Sequence, residues 1–396
     1  MSIDESKPLS GIRVLDMGRV VAGPLASFFL AALGAEVIRV ETPGGDLTWQ
    51  VPPFISPSGG RSSVRNSEDI SIGHLRRGRG KRSVVLDLDE SAAYKKFLEL
   101  LSTADVVIEN LRPGALEAKK SGYETARHQN ARIIWCSISG YGQTGPFSKR
   151  PAIDICIQAE SGLLDRTGWP NQEGVRAGAT VADHLGAMNA VIGVLAALRQ
   201  REMTGEGAWI DVSMLDAVAS MMWDEPLDLE ASGTISRQGN SDRRGAPHGV
   251  YPTTDGSVAV VVTSNAQWKE LVGLMANPGL YEKYSTPASR AAASSEIDAL
   301  VADWTGQFLS EDIAETLGDA GIPVGVVRKA TELRAHPQLI HRGLFEELQS
   351  GVTKTGSGLF GAQLPFLMNG LSMSASPAEP LGWSTDKLVT DKGDLK

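Results

Sequence analysis

The stretch IRVLDMGRVVAGPLASFFLAALGAEVIRVE, residues 12–41, decides the fold class. Two short apolar runs, residues 12–17 and 36–41, predict β-strands. The segment between them, residues 24–34, predicts a helix, because proline favours the first helical turn and glycine commonly ends a helix. Strands that are almost continuously apolar are typical of a parallel sheet with both faces covered. The stretch therefore predicts a β-α-β unit of an open α/β fold.

The same alternation continues along the first half of the chain. Further strands are predicted at residues 83–88, 106–110, 133–139 and 208–215, and helices at residues 90–104 and 182–203. The composition then changes: residues 223–244 are rich in glycine, serine and charged residues, which predicts a loop or an interdomain linker. Residues 249–263 predict a β-hairpin, and two helical patterns and a strand follow it. We expect a large α/β domain in residues 1–223, a small α+β domain in residues 224–330, and a C-terminal segment, residues 331–396, that returns to the large domain.

Composition restricts the classes of function. The chain has 396 residues and a formal net charge of -9, so its total charge does not indicate a nucleic-acid partner. Neither a signal peptide nor a stretch near the ~18 apolar residues of a membrane span is evident, so we expect a cytoplasmic protein without a membrane partner. The two cysteines, Cys136 and Cys156, predict buried, reduced thiols, and no Cys/His cluster predicts a metal.

Three loops with ligand-binding character are expected at the carboxyl edge of the sheet. They are residues 17–24, 109–114 and 139–146, and each follows a predicted strand. The loop after the first strand, residues 17–24, is neither a GxGxxG fingerprint nor a P-loop, and no GxSxG elbow is present. The basic run HLRRGRGKRS, residues 74–83, predicts either a solvated loop or a phosphate-binding loop.

One acid stands among apolar residues in SKRPAIDICIQAESGLL, residues 148–164. Asp154 follows Pro151 by three residues and precedes a helical pattern. As a helix N-cap, its carboxylate would accept backbone N–H groups. An ionised carboxylate at a helix N-terminus is also a possible covalent nucleophile toward an activated acyl group. These residues alone leave both interpretations open.

The chain resembles the family III CoA-transferases, the formyl-CoA transferase and carnitine CoA-transferase-like group. Eight collinear stretches between Pro8 and Gly256 carry the resemblance: PLSGIRVLDMGRVVAGP, LGAEVIRVE, RGKRSVVLDL, VVIENLRPGAL, ISGYGQTGP, RPAIDICIQAESG, AALRQREMTGEGAWIDVSMLDA and APHGVYPTTDG. The resemblance implies a Rossmann-like large domain, a small domain and a homodimer of interlocked rings. It also implies CoA transfer between carboxylic acids without a metal or redox cofactor.

The resemblance assigns roles to individual residues. It implies that Asp154 attacks an acyl-CoA thioester and that an aspartyl anhydride and then an aspartyl-CoA thioester follow. The expected CoA-binding residues are Val20, Lys81, Leu86, Asn110, Leu111, Arg112, Ser139 and Tyr141, with the Lys81 ammonium meeting a phosphate. Gly140 and Gly142 are the expected oxyanion donors. Val21, Thr42 and Ser139 depart from the formyl-CoA transferase pattern, and a glycine run is not evident near residues 238–245. These departures argue against formyl or oxalate specificity.

Two other functions compete with transfer. The related 2-methylacyl-CoA racemases and acyl-CoA isomerases move an α-proton, and the resemblance implies a His immediately before the matching Asp and a second Asp downstream. Here the His position is Ile153, which cannot carry a proton, whereas Asp183, followed by His184, matches the second Asp. Asp183 also fits a cap of the long helix. A non-catalytic CoA-binding protein on the same fold is the second alternative. Side chains that could face an acceptor carboxylate are His248, Arg176, Arg243 and Arg244.

Overall fold

A six-stranded parallel sheet forms the centre of the fold. The computed structural model describes residues 7–223, 237–242, 245–349 and 358–388. The strands lie in the order β3-β2-β1-β4-β5-β6, and every neighbouring pair is parallel. Their bounds are β1 Arg13–Asp16, β2 Glu36–Glu41, β3 Lys81–Val85, β4 Val106–Glu109, β5 Ile134–Ser139 and β6 Ala208–Ser213. The predicted α/β fold with a parallel sheet is confirmed.

The basic run before β3 was predicted incorrectly as a loop. Its residues form helix α2 (Ile72–Arg77), a turn and the beginning of β3, which starts two residues before the predicted strand. Burial explains the difference, because the charges of Arg79 and Lys81 are paired inside the protein. The Arg79 guanidinium pairs with Glu346, and the Lys81 ammonium lies 2.8 Å from an Asp16 carboxylate oxygen.

Helices cover both faces of the sheet. Alternate residues of each strand point to opposite faces. Val14 and Ile108 therefore join the apolar core beneath α1 (Ala22–Ala32), α8 (Val181–Thr204) and α9 (Met214–Trp223). Leu15 and Val107 join the opposite core, beneath α3 (Ser91–Thr103) and α5 (Tyr123–Gln129). Burial on both faces explains why these strands are apolar without alternation.

The strand order reverses beside β1. The chain runs from β1 outward to β2 and β3, then crosses back to place β4 on the other side of β1. Open α/β sheets bind ligands in the crevice at this switch point, outside the carboxyl ends of the strands. The loops after β1 and β4, two of the three loops singled out in the sequence, meet there.

Helix α8 has the length and composition of a membrane span. It contains 24 residues with a mean hydropathy of 1.6 over its most apolar window. The expectation that no segment is long and apolar enough to span a membrane was therefore wrong, judged by length and composition. In the fold, α8 packs against α1 and β5 through small residues such as Gly186 and Ala190. Its opposite face leaves Met188, Ile192 and Leu195 exposed.

The chain divides into two compact units. The first contains Met1–Leu163, Arg176–Leu227 and Pro337–Lys396, and the second contains Leu164–Val175 and Asp228–His336. Within the first unit, the C-terminal segment covers the edge strand β3: the backbone N–H of Ser83 donates to Glu379 and that of Val85 donates to Thr385. The predicted division into a large domain, a small domain and a returning C-terminal segment, with boundaries at residues 223 and 330, stays a prediction.

The second unit contains an antiparallel sheet of three strands, β7 His248–Pro252, β8 Ser257–Val261 and β9 Val324–Val326. The predicted β-hairpin is the β7-β8 pair. The helices around this sheet are α10 Asn265–Leu274, α11 Gly279–Lys283, α12 Pro287–Ala292, α13 Ser294–Thr305 and α14 Ser310–Asp319. Trp268 and Ile313 lie in its buried apolar core.

The remaining elements are short. The other helices are α4 Ala115–Ala118, α6 Asp154–Glu160, α7 Leu163–Arg166, α15 Pro337–His341 and α16 Thr385–Leu388, with 3-10 helices at Leu47–Trp49 and Ala330–Ala335. Short antiparallel strands lie at Phe54–Ile55, Arg61–Ser62, Ile70–Ser71, Phe345–Glu347, Phe360–Ala362, Leu367–Met368 and Leu371–Ser372.

Candidate active site

The side-chain amide of Asn110 connects, by hydrogen bonds, the loops that follow β1 and β4 at the switch point. The Asn110 side chain accepts a hydrogen bond from the Arg19 backbone N–H at 2.6 Å and donates to the Arg19 carbonyl at 2.9 Å. Gly18 and Gly23 make the loop tight, because a Cβ on either would lie 2.8 Å from backbone atoms of the other. Asn110 therefore fixes the loop that the sequence placed at a ligand site.

A buried charge cluster holds the next residue of that loop. Val20 has a left-handed backbone with φ of 59°, which is unfavourable for a β-branched residue. Its N–H donates to Asp46 at 2.9 Å, and its carbonyl accepts from Arg77 at 3.1 Å. Asp46 is in turn paired with the buried Arg39 guanidinium at 3.0 Å. The Val20 peptide is thus held on both sides, and its side chain is exposed.

A pocket of about 290 Å³ opens at the carboxyl ends of β4 and β5. Its lining residues are Asn110, Leu111, Arg112, Pro113, Ser139, Gly140, Ser148, Arg150, Pro151, Ala152, Ile153 and Cys156. The guanidinium groups of Arg112 and Arg150 make this lining suited to an anionic ligand. The hydroxyl of Ser139 is buried and has no hydrogen-bond partner among the described residues. The structure therefore brings five predicted site residues together in one cavity.

Asp154 begins helix α6 but does not cap it. The N-cap position is Ile153, and no side chain caps that helix end. The buried Asp154 carboxylate instead points to the N-terminus of α8. Its Oδ1 accepts the backbone N–H of Ala182 at 2.8 Å and that of Asp183 at 3.3 Å. The sequence offered a choice between a cap of helix α6 and a nucleophile. The structure shows neither simple case, because the carboxylate accepts backbone N–H groups at the start of a different helix, α8.

Gln158, one turn along α6, holds the other carboxylate oxygen. Its Nε2 lies 2.5 Å from Asp154 Oδ2 and also donates to the Ala179 carbonyl at 3.2 Å. Its Oε1 accepts the Ala177 backbone N–H at 2.9 Å. The amide thereby fixes Asp154 to the segment that leads into α8. Among the described residues, the three hydrogen-bond donors to the Asp154 carboxylate are all neutral groups.

A second acid lies beside Asp154. Burial, together with the Asp154 charge, raises the pKa of Asp183 to about 6, although His184 and Arg77 act in the opposite direction. Asp183 lies within the first turn of α8 and does not cap it, since Thr180 holds the N-cap position. The alternative in which Asp183 caps the long helix is therefore wrong.

Two predicted CoA contacts lie inside the protein. Lys81 is 3% exposed, and its Nζ donates to Asp16 and to the Pro24 carbonyl. Burial lowers the pKa of Lys81 to about 8, although Asp16 offsets part of the shift. This position argues against the predicted phosphate contact. Leu86 is likewise buried, in the core on the α3 face of the sheet.

The two predicted oxyanion donors differ in position. Gly140 lines the pocket, and a Cβ there would lie 2.4 Å from that of Ala152, so only glycine fits. Gly142 is buried with φ of 82°, in a turn whose next N–H, that of Gln143, donates to Asp211. Tyr141 between them is half-buried and packs on Phe147.

The other candidates are more exposed or lie elsewhere. Ile153 is 68% exposed at the pocket, and Arg176 is exposed. Cys156 is exposed, contrary to its predicted burial, because the α6 face that carries it lines the pocket; Cys136 is buried as predicted. His248 lies on β7 of the second unit. Arg243 and Arg244 lie outside the described residues.

Sequence reasoning missed Gln158, Asp46 and Arg77. For Gln158 a signal was present, since a polar residue four positions after Asp154 shares its helix face. For Asp46 and Arg77 there was none, because their contacts with Val20 depend on tertiary packing.

Comparison with known proteins identifies the family of the chain. The family model described as CoA-transferase family III matches residues 9–385. The chain belongs to CoA-transferase family III. Enzymes of this family act on CoA thioesters, and the resemblance seen in the sequence is confirmed.

Characterised relatives share most of the chain. The succinate–glutarate CoA-transferase of Agrobacterium fabrum is 34% identical over 91% of this chain and 90% of its own length. The succinyl-CoA:mesaconate CoA-transferase of Haloarcula hispanica is 33% identical over 86% and 85% of the two chains. The α subunit of a succinyl-CoA–L-malate CoA-transferase of Chloroflexus aurantiacus is 31% identical over 99% and 90%.

A solved structure has the same fold. The crystal structure of a CaiB/BaiF family protein from Brucella suis superposes with a TM-score of 0.82 at 30% identity, covering 96% of this chain and 98% of the other. The relatives named above are CoA-transferases that use succinyl-CoA or succinate with another acid. The prediction that this chain is a CoA-transferase is confirmed at the level of the family.

Proposed function

We propose that this enzyme moves CoA from a dicarboxylic acyl-CoA of the succinyl-CoA type to a second dicarboxylic acid, with Asp154 as covalent nucleophile. The observation that carries the proposal is the buried Asp154 carboxylate, to which only neutral groups donate among the described residues, directly after Ile153, which lines a pocket with two arginines. The names of the relatives support the substrate class, and the arginines suit an anionic ligand.

The chemistry conserves the activated acyl bond. Asp154 attacks the thioester carbonyl, the C–S bond breaks, and CoA leaves as a thiolate, whose parent thiol has a pKa near ~8.5. The thiolate attacks the aspartyl carbonyl of the mixed anhydride and releases the first acid. The acceptor carboxylate then attacks the aspartyl-CoA thioester, and the liberated thiolate takes the new acyl group from Asp154. No step hydrolyses the activated bond, so the scheme requires no ATP, metal or redox cofactor.

The working assembly in this proposal is an interlocked homodimer. The resemblance to the family supports it, and so does the apolar face of α8 that carries Met188, Ile192 and Leu195. Such a face is unfavourable in water unless another surface covers it. A second copy of the chain is the partner in this proposal, and the cytoplasmic location stays a prediction.

The test is transfer by Asp154→Ala. With succinyl-CoA as donor and a panel of mono- and dicarboxylic acceptors, the wild-type enzyme should form new acyl-CoA, with dicarboxylates preferred. The variant should keep the fold, shown by an unchanged circular dichroism spectrum, and lose transfer. Turnover at the wild-type rate by the variant would refute the role of Asp154.

Racemase or isomerase activity remains the alternative, and one observation favours it. Asp183, with its pKa raised to about 6, could serve as a base next to Asp154. The exposed Ile153 at the expected His position argues against it, because racemisation needs a second base on the opposite face. In D₂O a branched acyl-CoA should exchange its α-proton slowly without an acceptor. Rapid exchange would favour the alternative over transfer.

A further inference from the structure

The two oxygens of the Asp154 carboxylate have different surroundings. Oδ1 accepts two backbone N–H groups, from Ala182 and Asp183, at the start of the 24-residue helix α8. Within the described part of the chain, Oδ2 accepts one hydrogen bond, from the Gln158 amide. Each carboxylate oxygen has two lone-pair directions. Both directions of Oδ1 are therefore occupied, whereas Oδ2 retains one for bond formation.

Gln158 is fixed so that its amide cannot turn away from Asp154. The side chain is 0% exposed, and its orientation is set by the Ala177 N–H on Oε1 and the Ala179 carbonyl near Nε2. Exchanging the amide N and O would place carbonyl oxygen against carboxylate and N–H against N–H. The donor thus always faces Oδ2.

Building on the proposed function, we propose that Gln158 is a positioning residue that presents Asp154 Oδ2 as the attacking atom, and that the α8 N-terminus stabilises the oxyanion on Oδ1. Gln158 acts through Asp154 and does not itself touch the substrate. The assignment adds to the glycine turn that was expected to serve the substrate's own carbonyl oxygen.

The electron count of the two steps follows from this assignment. In the first step a lone pair of Oδ2 forms the bond to the acyl carbon, and the C–S pair leaves with the CoA sulfur. In the second step the CoA thiolate attacks Asp154 Cγ, and the carbonyl electrons move onto Oδ1. The Ala182 and Asp183 N–H groups receive that charge. Collapse re-forms the Cγ–Oδ1 double bond and releases the acyl group with Oδ2 as its carboxylate oxygen.

The N-terminus of α8 is positioned to stabilise the negative charge that develops on Oδ1 when the CoA thiolate attacks Asp154 Cγ. The N-terminus of a helix carries a partial positive charge, and N–H groups already aimed at the oxygen need no reorganisation when charge develops. Losing one donor of this kind lowers turnover by about 10²- to 10³-fold in enzymes that use one.

The first experiment exchanges the amide. Gln158→Met removes the donor at similar size, and kcat should fall about 10- to 100-fold at every pH while KM for the acyl-CoA changes less than about 3-fold. Gln158→Glu places an ionisable group against Oδ2: its protonated form still donates, whereas its ionised form repels Asp154. Its kcat should therefore fall steeply with rising pH, in a titration additional to any that Asp183, whose pKa is raised to about 6 beside Asp154, contributes in wild type. A merely structural role would not produce that titration.

The second experiment removes an N–H from α8. Ala182→Pro deletes a donor to Oδ1 within the first helical turn, where proline is tolerated, and Ala92→Pro, at the equivalent exposed position of α3, is the matched control. Turnover should fall about 100-fold or more in Ala182→Pro and at least 10-fold less in the control, as measured on folded protein. Equal losses in both variants would contradict the assignment of Oδ1.

The outcomes separate this inference from the proposed function. If Asp154→Ala is inactive and wild type forms a covalent adduct at Asp154, the proposed function stands by itself. Gln158→Met turning over within about 3-fold of wild type, or Gln158→Glu with the wild-type pH profile, would then overturn the role of Gln158. If Gln158→Met fails to fold, the pH profile of Gln158→Glu and the proline pair decide.

Discussion

Replacing Asp183 with asparagine should stabilise the enzyme, and more so at higher pH. The pKa of Asp183 is raised from 3.8 to about 6, chiefly by burial and then by the Asp154 charge. Between these values the folded state holds a proton that the unfolded state has lost, so the free energy of unfolding falls as pH rises. The loss of stability from ionising the buried Asp183 carboxyl is absent below pH 3.8 and complete above pH 6. At about 1.4 kcal/mol per pKa unit, about two units give at most about 3 kcal/mol.

The assay is urea unfolding of wild type and Asp183→Asn, followed by tryptophan fluorescence at pH 5 and pH 8. The variant should be more stable by about 1–3 kcal/mol at pH 8, and its advantage should shrink by about 1 kcal/mol at pH 5. Asp89→Asn, at an exposed ion pair with Lys119, is the control and should show no such change with pH. The reasoning would be refuted if Asp183→Asn had no higher free energy of unfolding than wild type at pH 8, or if the difference between the two proteins were the same at both pH values.

Three further changes test other parts of the structure. Asp46→Asn weakens the pair with Arg39 that holds the Val20 loop, so KM for acyl-CoA should rise about 10-fold; an unchanged KM would remove this loop from the site. Ile192→Glu puts a charge on the exposed face of α8 that the proposed dimer covers, so it should lower the melting temperature; an unchanged melting temperature would place the interface elsewhere. Gly140→Ala brings two Cβ atoms to 2.4 Å and should cost about 1–3 kcal/mol in thermal unfolding, whereas a wild-type melting curve would show that the turn adapts.

Much of the sheet could be predicted because its signals are local. Apolar runs of four to six residues, separated by helical patterns, indicate a doubly covered parallel sheet. The boundary of β3 failed for a physical reason: Lys81 and Arg82 look like loop residues, yet the Lys81 charge is neutralised by Asp16, a residue 65 positions away. A buried ion pair of that kind is invisible to local periodicity.

The candidate site was predictable only in part. Residues at strand ends, such as Asn110 and Ser139, are brought together by the topology of the sheet itself. The partners of Asp154 depend on how α6 meets α8, and no local pattern encodes that contact. For this reason the sequence suggested a helix cap or a nucleophile. In the structure, Asp154 is the first residue of α6, and its carboxylate accepts backbone N–H groups at the start of α8.

The most direct test of the account is the covalent intermediate. Wild-type enzyme incubated with succinyl-CoA, then treated with hydroxylamine and digested, should yield one peptide with a modified acid, and tandem mass spectrometry should place the modification at Asp154. Asp154→Ala should yield none. A modification at another residue, or turnover by Asp154→Ala at the wild-type rate, would contradict the central claim that this carboxylate carries the transferred group.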